Sequence, residues 1–144
     1  MSEVITGNSH TLATSRGLNE LAAKHAHWAL RVALASVFIY HGAGKLAGVE
    51  QFANMMNLSY TVALLVTLAE FVGGILVVAG GFTRDWVTRL GASFFVPVMV
   101  GAIAMVHWGQ WNFVANEAFP MGGSEFQVTL LLVSLYLLIK GNRA

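Results

Sequence analysis

The sequence contains no cysteine at any of its 144 positions. This absence excludes disulfides, iron–sulfur clusters, thiolate zinc sites, c-type haem attachment and cysteine nucleophiles, because each of them needs a thiol or thiolate. Charged residues are also scarce, at 10% of the chain, where soluble domains carry about 25%. So few charges could not solvate the surface of a soluble protein of this length. The composition therefore indicates an integral membrane protein whose main surroundings are the lipid bilayer.

The chain also has no basic run. Its formal net charge is +1, and its Lys and Arg residues are scattered, so we expect no nucleic-acid partner. The first 24 residues lack a continuous apolar stretch, which argues against a cleavable signal peptide. We interpret residues 1–25 as a cytoplasmic tail or surface helix, and residues 26–144 as one transmembrane domain.

Four apolar segments are present, at about 26–44, 60–80, 86–106 and 123–139. A membrane span needs about 20 apolar residues, and the first three segments satisfy this. The fourth is short, because only 14 residues separate Glu125 from Lys140. Without water in the hydrocarbon layer each segment must satisfy its own backbone, which favours helices. The sequence predicts an all-α fold, a bundle of four transmembrane helices.

Basic residues near the span ends predict the orientation, since they concentrate on the cytoplasmic side. One side has six of them, and the other has Lys45; the six are Arg16, Lys24, Arg84, Arg89, Lys140 and Arg143. This distribution predicts a multi-pass protein of the cell inner membrane with both termini in the cytoplasm.

Glu70 is the only charged residue between Glu50 and Arg84. A carboxylate at bilayer depth costs about 2.5–3.5 kcal/mol on insertion scales and normally faces a partner or the bundle interior. Arg31 is the only charge between Lys24 and Lys45, in the neighbouring apolar segment. We therefore predict a buried Arg31–Glu70 pair, which serves either as a structural clamp or as a substrate or proton site.

A second polar group is expected at the outer membrane face. It consists of His41 and Lys45 at the end of the first span, His107 at the end of the third, and Glu125. Donors and a proton acceptor at one place suit a quinone headgroup, while Lys45 with protonated histidine suits an anion. An interfacial belt of polar and aromatic residues is the simpler alternative. We expect no metal site or haem, because His41 and His107 are too few ligands to indicate one.

Three stretches resemble the DoxX family of small four-span membrane proteins. They are RVALASVFIYHGAGKLAG (31–48), LAEFVGGILVVAGGFTR (68–84) and the end of the third span at His107 with the loop through GGSEF (122–126). The resemblance implies a four-helix membrane fold. It also marks six polar positions of interest: Arg31, His41, Lys45, Glu70, His107 and Glu125.

The family is associated with quinol oxidation and with thiosulfate:quinone oxidoreduction, and many members have no assigned activity. The resemblance therefore implies a structural or quinone-associated subunit of a larger redox or energy-converting membrane complex, with other subunits as partners. No cofactor is certain from the sequence, and quinone is the candidate. One alternative is a stand-alone component of a quinone-dependent oxidoreductase of the thiosulfate:quinone type. Another is a small proton-coupled transporter that uses Glu70. The sequence leaves open whether the chain is itself an enzyme.

Overall fold

Helices form all of the main elements in the computed structural model, which describes Gly17 and residues 19–143. The α-helices are α1 (His27–Leu46), α2 (Val49–Met56), α3 (Tyr60–Phe82), α4 (Asp85–Ala102) and α5 (Glu125–Lys140). A π-helical turn, Ile103–His107, extends α4, and a 3-10 turn, Gly141–Arg143, follows α5. No strand occurs in this part of the chain. The predicted all-α class is confirmed.

The predicted N-terminal tail, residues 1–25, lies largely outside the described residues. Of this stretch the structure describes Gly17 and residues 19–25, all of which are helical and lead towards α1. The side chains of residues 19–25 are exposed, including Leu21. This short helical stretch therefore adds nothing to the core of the bundle.

Helices α1, α3, α4 and α5 pack side by side as a bundle. Helix α3 contacts α1 on one side and α4 on the other, and α5 packs against α4. The core contains Leu34, Phe38, Val77, Ala92, Phe95, Met99, Leu130 and Leu137. At its centre the rings of Phe38 and Phe95 stack with centroids 3.7 Å apart. This stack joins α1 to α4 through the middle of the bundle.

Glycines allow α3 and α4 to approach closely. A Cβ atom added at Gly73 would lie 2.7 Å from Cε1 of Phe95, and one at Gly91 would lie 2.8 Å from the Gly73 carbonyl oxygen. Lipid gives helices no hydrophobic reason to associate, so close contact between small residues is a main source of helix packing. A side chain at either position would force the two helices apart.

Helix length and composition identify the parts that can cross a membrane. Within residues 19–143, two helices qualify alone, Tyr60–Phe82 and Asp85–His107. The helices Asn19–Leu46 and Val49–Met56 qualify together, with a bend of 100° between them, and would make a third span. Helix α5 has 16 residues, which is fewer than the about 20 of a typical span. It completes the predicted membrane bundle as a short fourth helix.

The bend after α1 turns the chain across the end of the bundle. Val49 and Ala53 of α2 pack against Ala63 of α3. Asn57 ends α2 in a left-handed conformation, with φ of 52°, and the Ser59 hydroxyl accepts a hydrogen bond from the Val62 amide at the start of α3. We call the end of the bundle beside α2 the Lys45 end, and the opposite end the Arg31 end.

Candidate functional site

A buried ion pair lies at the Lys45 end of the bundle. The Lys45 ammonium donates to both carboxylate oxygens of Glu70 at 2.6 Å. The Glu70 side chain is 4% exposed and that of Lys45 is 22% exposed. The ammonium also lies 4.7 Å from the centre of the Phe52 ring of α2. Lys45 therefore has the buried carboxylate on one side and an aromatic face on another.

The crossing of α1 over α3 places this pair. A Cβ atom added at Gly42 would lie 2.6 Å from the Phe71 backbone nitrogen, so the two backbones are in contact there. Further along α3, a Cβ atom added at Gly74 would meet the Ile39 side chain, and one added at Gly81 would meet the Trp28 side chain. The helices are thus antiparallel, and residues 42–45 of α1 are level with Glu70.

The predicted Arg31–Glu70 pair is wrong. Both residues are buried, as the sequence predicted, but Glu70 pairs with Lys45. Arg31 and Gly42 are eleven positions apart, which corresponds to about 16 Å along a helix. An arginine side chain cannot cover that distance to the level of Glu70, so the antiparallel register excludes the contact.

Arg31 instead closes the opposite end of the bundle. Its Nε donates to His27 Nδ1 at 2.9 Å, and Nη1 donates to the Val77 carbonyl and the Thr88 hydroxyl, both at 2.8 Å. Its Nη2 donates to the Gly141 carbonyl at 3.3 Å and to Asn142 Oδ1 at 2.9 Å. Among the described residues no carboxylate forms an ion pair with it. Arg31 is a structural clamp on the C-terminal turn.

A groove opens beside Lys45, in the angle between α1 and α2. Its volume is about 650 Å³. Apolar side chains form most of its wall, and the polar lining consists of His41, Lys45, Gln51 and the Tyr40 side chain; the apolar residues include Ile39, Phe52 and Met55. His41 precedes Lys45 by one helical turn, so both side chains project from the same face of α1. The structure brings His41 and Lys45 to one site, as predicted.

His107 and Glu125 do not line this groove. His107 is buried at the end of the π-helical turn, where Nδ1 lies 2.9 Å from the Gly122 carbonyl oxygen and Nε2 lies 2.9 Å from Gln127 Nε2. The Glu125 carboxylate accepts a hydrogen bond from the Phe113 amide at 3.3 Å. The predicted four-residue pocket therefore divides into a His41–Lys45 groove and a separate junction between the loop and α5.

The hydrogen bonds of His107 define its tautomer. A carbonyl oxygen can only accept, so Nδ1 must carry the proton that reaches Gly122, and Nε2 accepts from the Gln127 amide. The other atom of that amide, Oε1, is buried and has no hydrogen-bond partner among the residues that the structure describes. Within the described residues no cluster of three His, Asp or Glu side chains could hold a metal ion.

Sequence reasoning missed the residues that complete these sites. Gln51 and Phe52 belong to the groove, Gln127 holds His107, and Thr88 and Asn142 hold Arg31. Glutamine, threonine and asparagine carry no charge, so nothing in the sequence separates them from ordinary helix and loop residues. Lys45 was detectable from the sequence, because it is charged and lies one helical turn beyond His41.

Comparison with known proteins agrees with this architecture. The DoxX family model matches residues 26–108. A protein of Bacillus subtilis (strain 168) named "Putative oxidoreductase CatD" is 32% identical over 117 residues, which are 79% of this chain and 78% of that protein. No solved structure gives a significant match. The part of the chain that the family model matches covers the positions of Lys45, Glu70 and the groove residues. The family model and the Bacillus subtilis relative confirm the resemblance seen in the sequence: this chain belongs to the DoxX family of membrane proteins.

Proposed function

We propose that this protein is the quinone-binding membrane subunit of an oxidoreductase complex in the cell inner membrane. The headgroup would occupy the groove between α1 and α2. The observation that carries the proposal is the Lys45 ammonium, which lines the groove while both Glu70 carboxylate oxygens hold it at 2.6 Å.

The form of the groove supports a small ring-shaped ligand. Pockets for small molecules typically have about 300–1,000 Å³ and a mainly apolar wall with a few polar groups. The groove has about 650 Å³, with His41, Lys45 and Gln51 among apolar and aromatic side chains. A quinone ring offers two carbonyl oxygens to such donors and two apolar faces to Phe52 and Tyr40.

The ion pair favours a neutral ligand over an anion. Glu70 already neutralises the Lys45 charge, so an anion in the groove would also meet the nearby carboxylate. A lysine ammonium has three N–H donors, and Glu70 accepts two of them. The remaining donor is enough for one carbonyl oxygen. Glu70 and His41 add groups that can accept a proton when such a ligand changes its protonation state.

Access from lipid supports a membrane-dissolved ligand. Tyr40 and Met55, both on the groove wall, are among the strongly exposed apolar residues of the protein. An apolar tail could therefore leave the groove directly into the bilayer. The electrons would come from or go to a partner protein with its own redox group. The name of the related Bacillus subtilis protein, "Putative oxidoreductase CatD", agrees with redox chemistry.

The test is binding of a short-tailed, photoreactive benzoquinone to the purified protein in lipid nanodiscs. We expect the probe to label peptides from residues 39–55. Its affinity should be at least about tenfold weaker for the variant that combines Lys45→Met with Glu70→Gln. This variant removes the donor without leaving a lone buried charge. Lys140→Met, at the other end of the bundle, is the matched control and should bind as the parent does.

Three results would contradict the proposal. One is equal labelling in the double variant and the parent. Another is displacement of the probe by millimolar thiosulfate or phosphate, which would point to an anion site. The third is proton-coupled solute flux in liposomes that requires Glu70 while the quinone fails to bind, which would support the transporter alternative.

A further inference from the structure

The loop between the π-helical turn and α5 presents large apolar side chains to the outside. Trp108 is 76% exposed and Trp111 63%, and three more residues are exposed to a similar degree: Phe113, Val114 and Met121. A water-facing loop normally carries polar residues outward. Apolar side chains are also exposed before the loop, at Val100 in α4 and at Met105 in the π-helical turn.

The polar side chains of the same loop bond to its own backbone. Gln110 Nε2 donates to the carbonyl oxygens of Asn112 at 2.6 Å and Val114 at 2.9 Å. Asn112 Oδ1 accepts from the Val114 amide. Asn116 Oδ1 accepts from the amides of Ala118 and Phe119, and Asn116 Nδ2 donates to Gln110 Oε1. The loop thus satisfies many of its backbone groups without water.

Backbone bonds fix the loop to the start of α5. The amides of Gly123, Ser124 and Glu125 donate to the carbonyls of Asn112, Gln110 and Trp111, each at 2.9 Å. Gly122 takes a φ of 74°, and a Cβ atom there would overlap the Phe113 carbonyl oxygen. The apolar side chains are therefore carried on an ordered platform.

The charge and amino-acid composition of this loop indicate what its apolar side chains contact. Glu117 is the only charged residue between His107 and Glu125, and no Lys or Arg occurs there. Tryptophan prefers the headgroup region of a bilayer, and backbone that leaves bulk water must be bonded internally. We infer that this loop lies in the headgroup layer of the membrane at the Lys45 end, against zwitterionic lipid, as an interfacial anchor.

The test uses tryptophan fluorescence in phosphatidylcholine vesicles. A protein that keeps only Trp111 is made with Trp28→Phe, Trp86→Phe and Trp108→Phe, which preserve apolar rings. Bromine placed high on the lipid chains should quench Trp111 at least about twofold more than bromine near the bilayer centre. Aqueous acrylamide should quench it little. A Trp28-only protein, whose ring packs 4.5 Å from Phe82, is the reference for shielding by protein packing.

A second measurement leaves every tryptophan in place. Because the chain has no cysteine, Met121→Cys gives a single attachment point for a nitroxide label. Leu132→Cys, an exposed position in α5, is the lipid-facing control. We expect the label at 121 to report a shallow membrane depth and that at 132 a deep one. Replacing part of the phosphatidylcholine with phosphatidylglycerol should not move either label.

The proposal fails if residues 111 and 121 are open to aqueous quenchers and untouched by lipid quenchers, because the loop would then project into water. It also fails if both positions are shielded from lipid and water alike, which would indicate a protein partner on this surface. A strong dependence on anionic lipid would contradict the assignment to zwitterionic headgroups.

Discussion

Lys45 and Glu70 are 25 positions apart in the chain, yet the ammonium of one lies 2.6 Å from both carboxylate oxygens of the other. The contact joins α1 to α3 beside the point where their backbones touch. It gives a buried membrane carboxylate its counter-ion and holds a cationic donor at the edge of a groove. The proposed chemistry and the stability of this end of the bundle both depend on it.

The pair should behave as a unit in a double-mutant cycle. Removing one partner of a buried ion pair costs about 3–5 kcal/mol, whereas replacing both by apolar residues is often nearly neutral. We expect Lys45→Met to cost more than Glu70→Leu, since Lys45 is 22% exposed and can extend outward, while Glu70 at 4% cannot. Thermal unfolding in nanodiscs measures each loss. Additive losses in the double variant would show that the two residues do not interact.

Gly42→Ala should separate α1 from α3 and weaken this pair. The added Cβ would lie 2.6 Å from the Phe71 backbone nitrogen, and overpacking of this kind typically costs about 1–3 kcal/mol. Gly44→Ala is a matched control two positions away, because a Cβ there meets nothing within 4 Å. It should keep or slightly raise stability, since alanine favours helix over glycine. Equal effects at both positions would contradict the close crossing.

The C-terminal turn should contribute to stability through one side chain. Asn142 accepts from Arg31 and Thr88, and its own amide donates to the Gly80 carbonyl at 2.9 Å. Asn142→Ala removes one hydrogen-bond partner from each of Arg31, Thr88 and Gly80, which we expect to cost about 1–3 kcal/mol in total. Arg143→Ala, at the exposed neighbouring residue, should change the unfolding temperature little. If the two variants unfold alike, the turn does not clamp Arg31.

His107 should carry its ring proton on Nδ1. The Gly122 carbonyl oxygen at 2.9 Å accepts that proton, so nitrogen-15 spectra of the neutral ring should show a protonated Nδ1 and an unprotonated Nε2. Gln127→Leu removes the partner of Nε2 but should leave the tautomer unchanged, because Gly122 is unaffected. Thr129→Val is the control, because Thr129 lies two positions after Gln127 in α5 and its hydroxyl bonds to the Glu125 carbonyl, not to His107. A neutral ring with its proton on Nε2 would mean that the imidazole is flipped relative to the structure.

The topology predicted from the basic residues is open to a direct test. Reporters fused after Arg143 and inserted at Asn116 should report opposite sides of the membrane, with the C-terminal one in the cytoplasm. The result depends on α5, the shortest bundle helix. Reporters on the same side would show that α5 does not cross.

The helical class and the buried charges could be predicted from the sequence because they follow from local composition. Long apolar segments leave the backbone few alternatives to helix, and an isolated Glu70 in such a segment must turn inward. The partner of Glu70 could not be predicted in the same way. It depends on which turn of α1 lies level with it, and that register is fixed by the bend before α2 and by the contact of Gly42 with Phe71.

The candidate site could be predicted from the sequence only in part. His41 and Lys45 share a helix face by their spacing alone, so their meeting at one groove follows from the sequence. His107 lies at the same end of the bundle, but membrane depth does not specify position around the bundle. Its neighbours come from the loop and α5 through Gly122 and Gln127, and no sequence pattern marks either contact.

The unequal lengths of α3 and α5 have a consequence for the surrounding lipid. The 23 residues of α3 extend about 35 Å and the 16 residues of α5 about 24 Å, while the hydrocarbon core is about 30 Å thick. Hydrophobic mismatch of this kind is relieved by local thinning or by association with another helix. Without a partner helix, the bilayer would be thinner beside α5 than beside α3. A partner helix that packed beside α5 would therefore relieve the largest deformation of the bilayer.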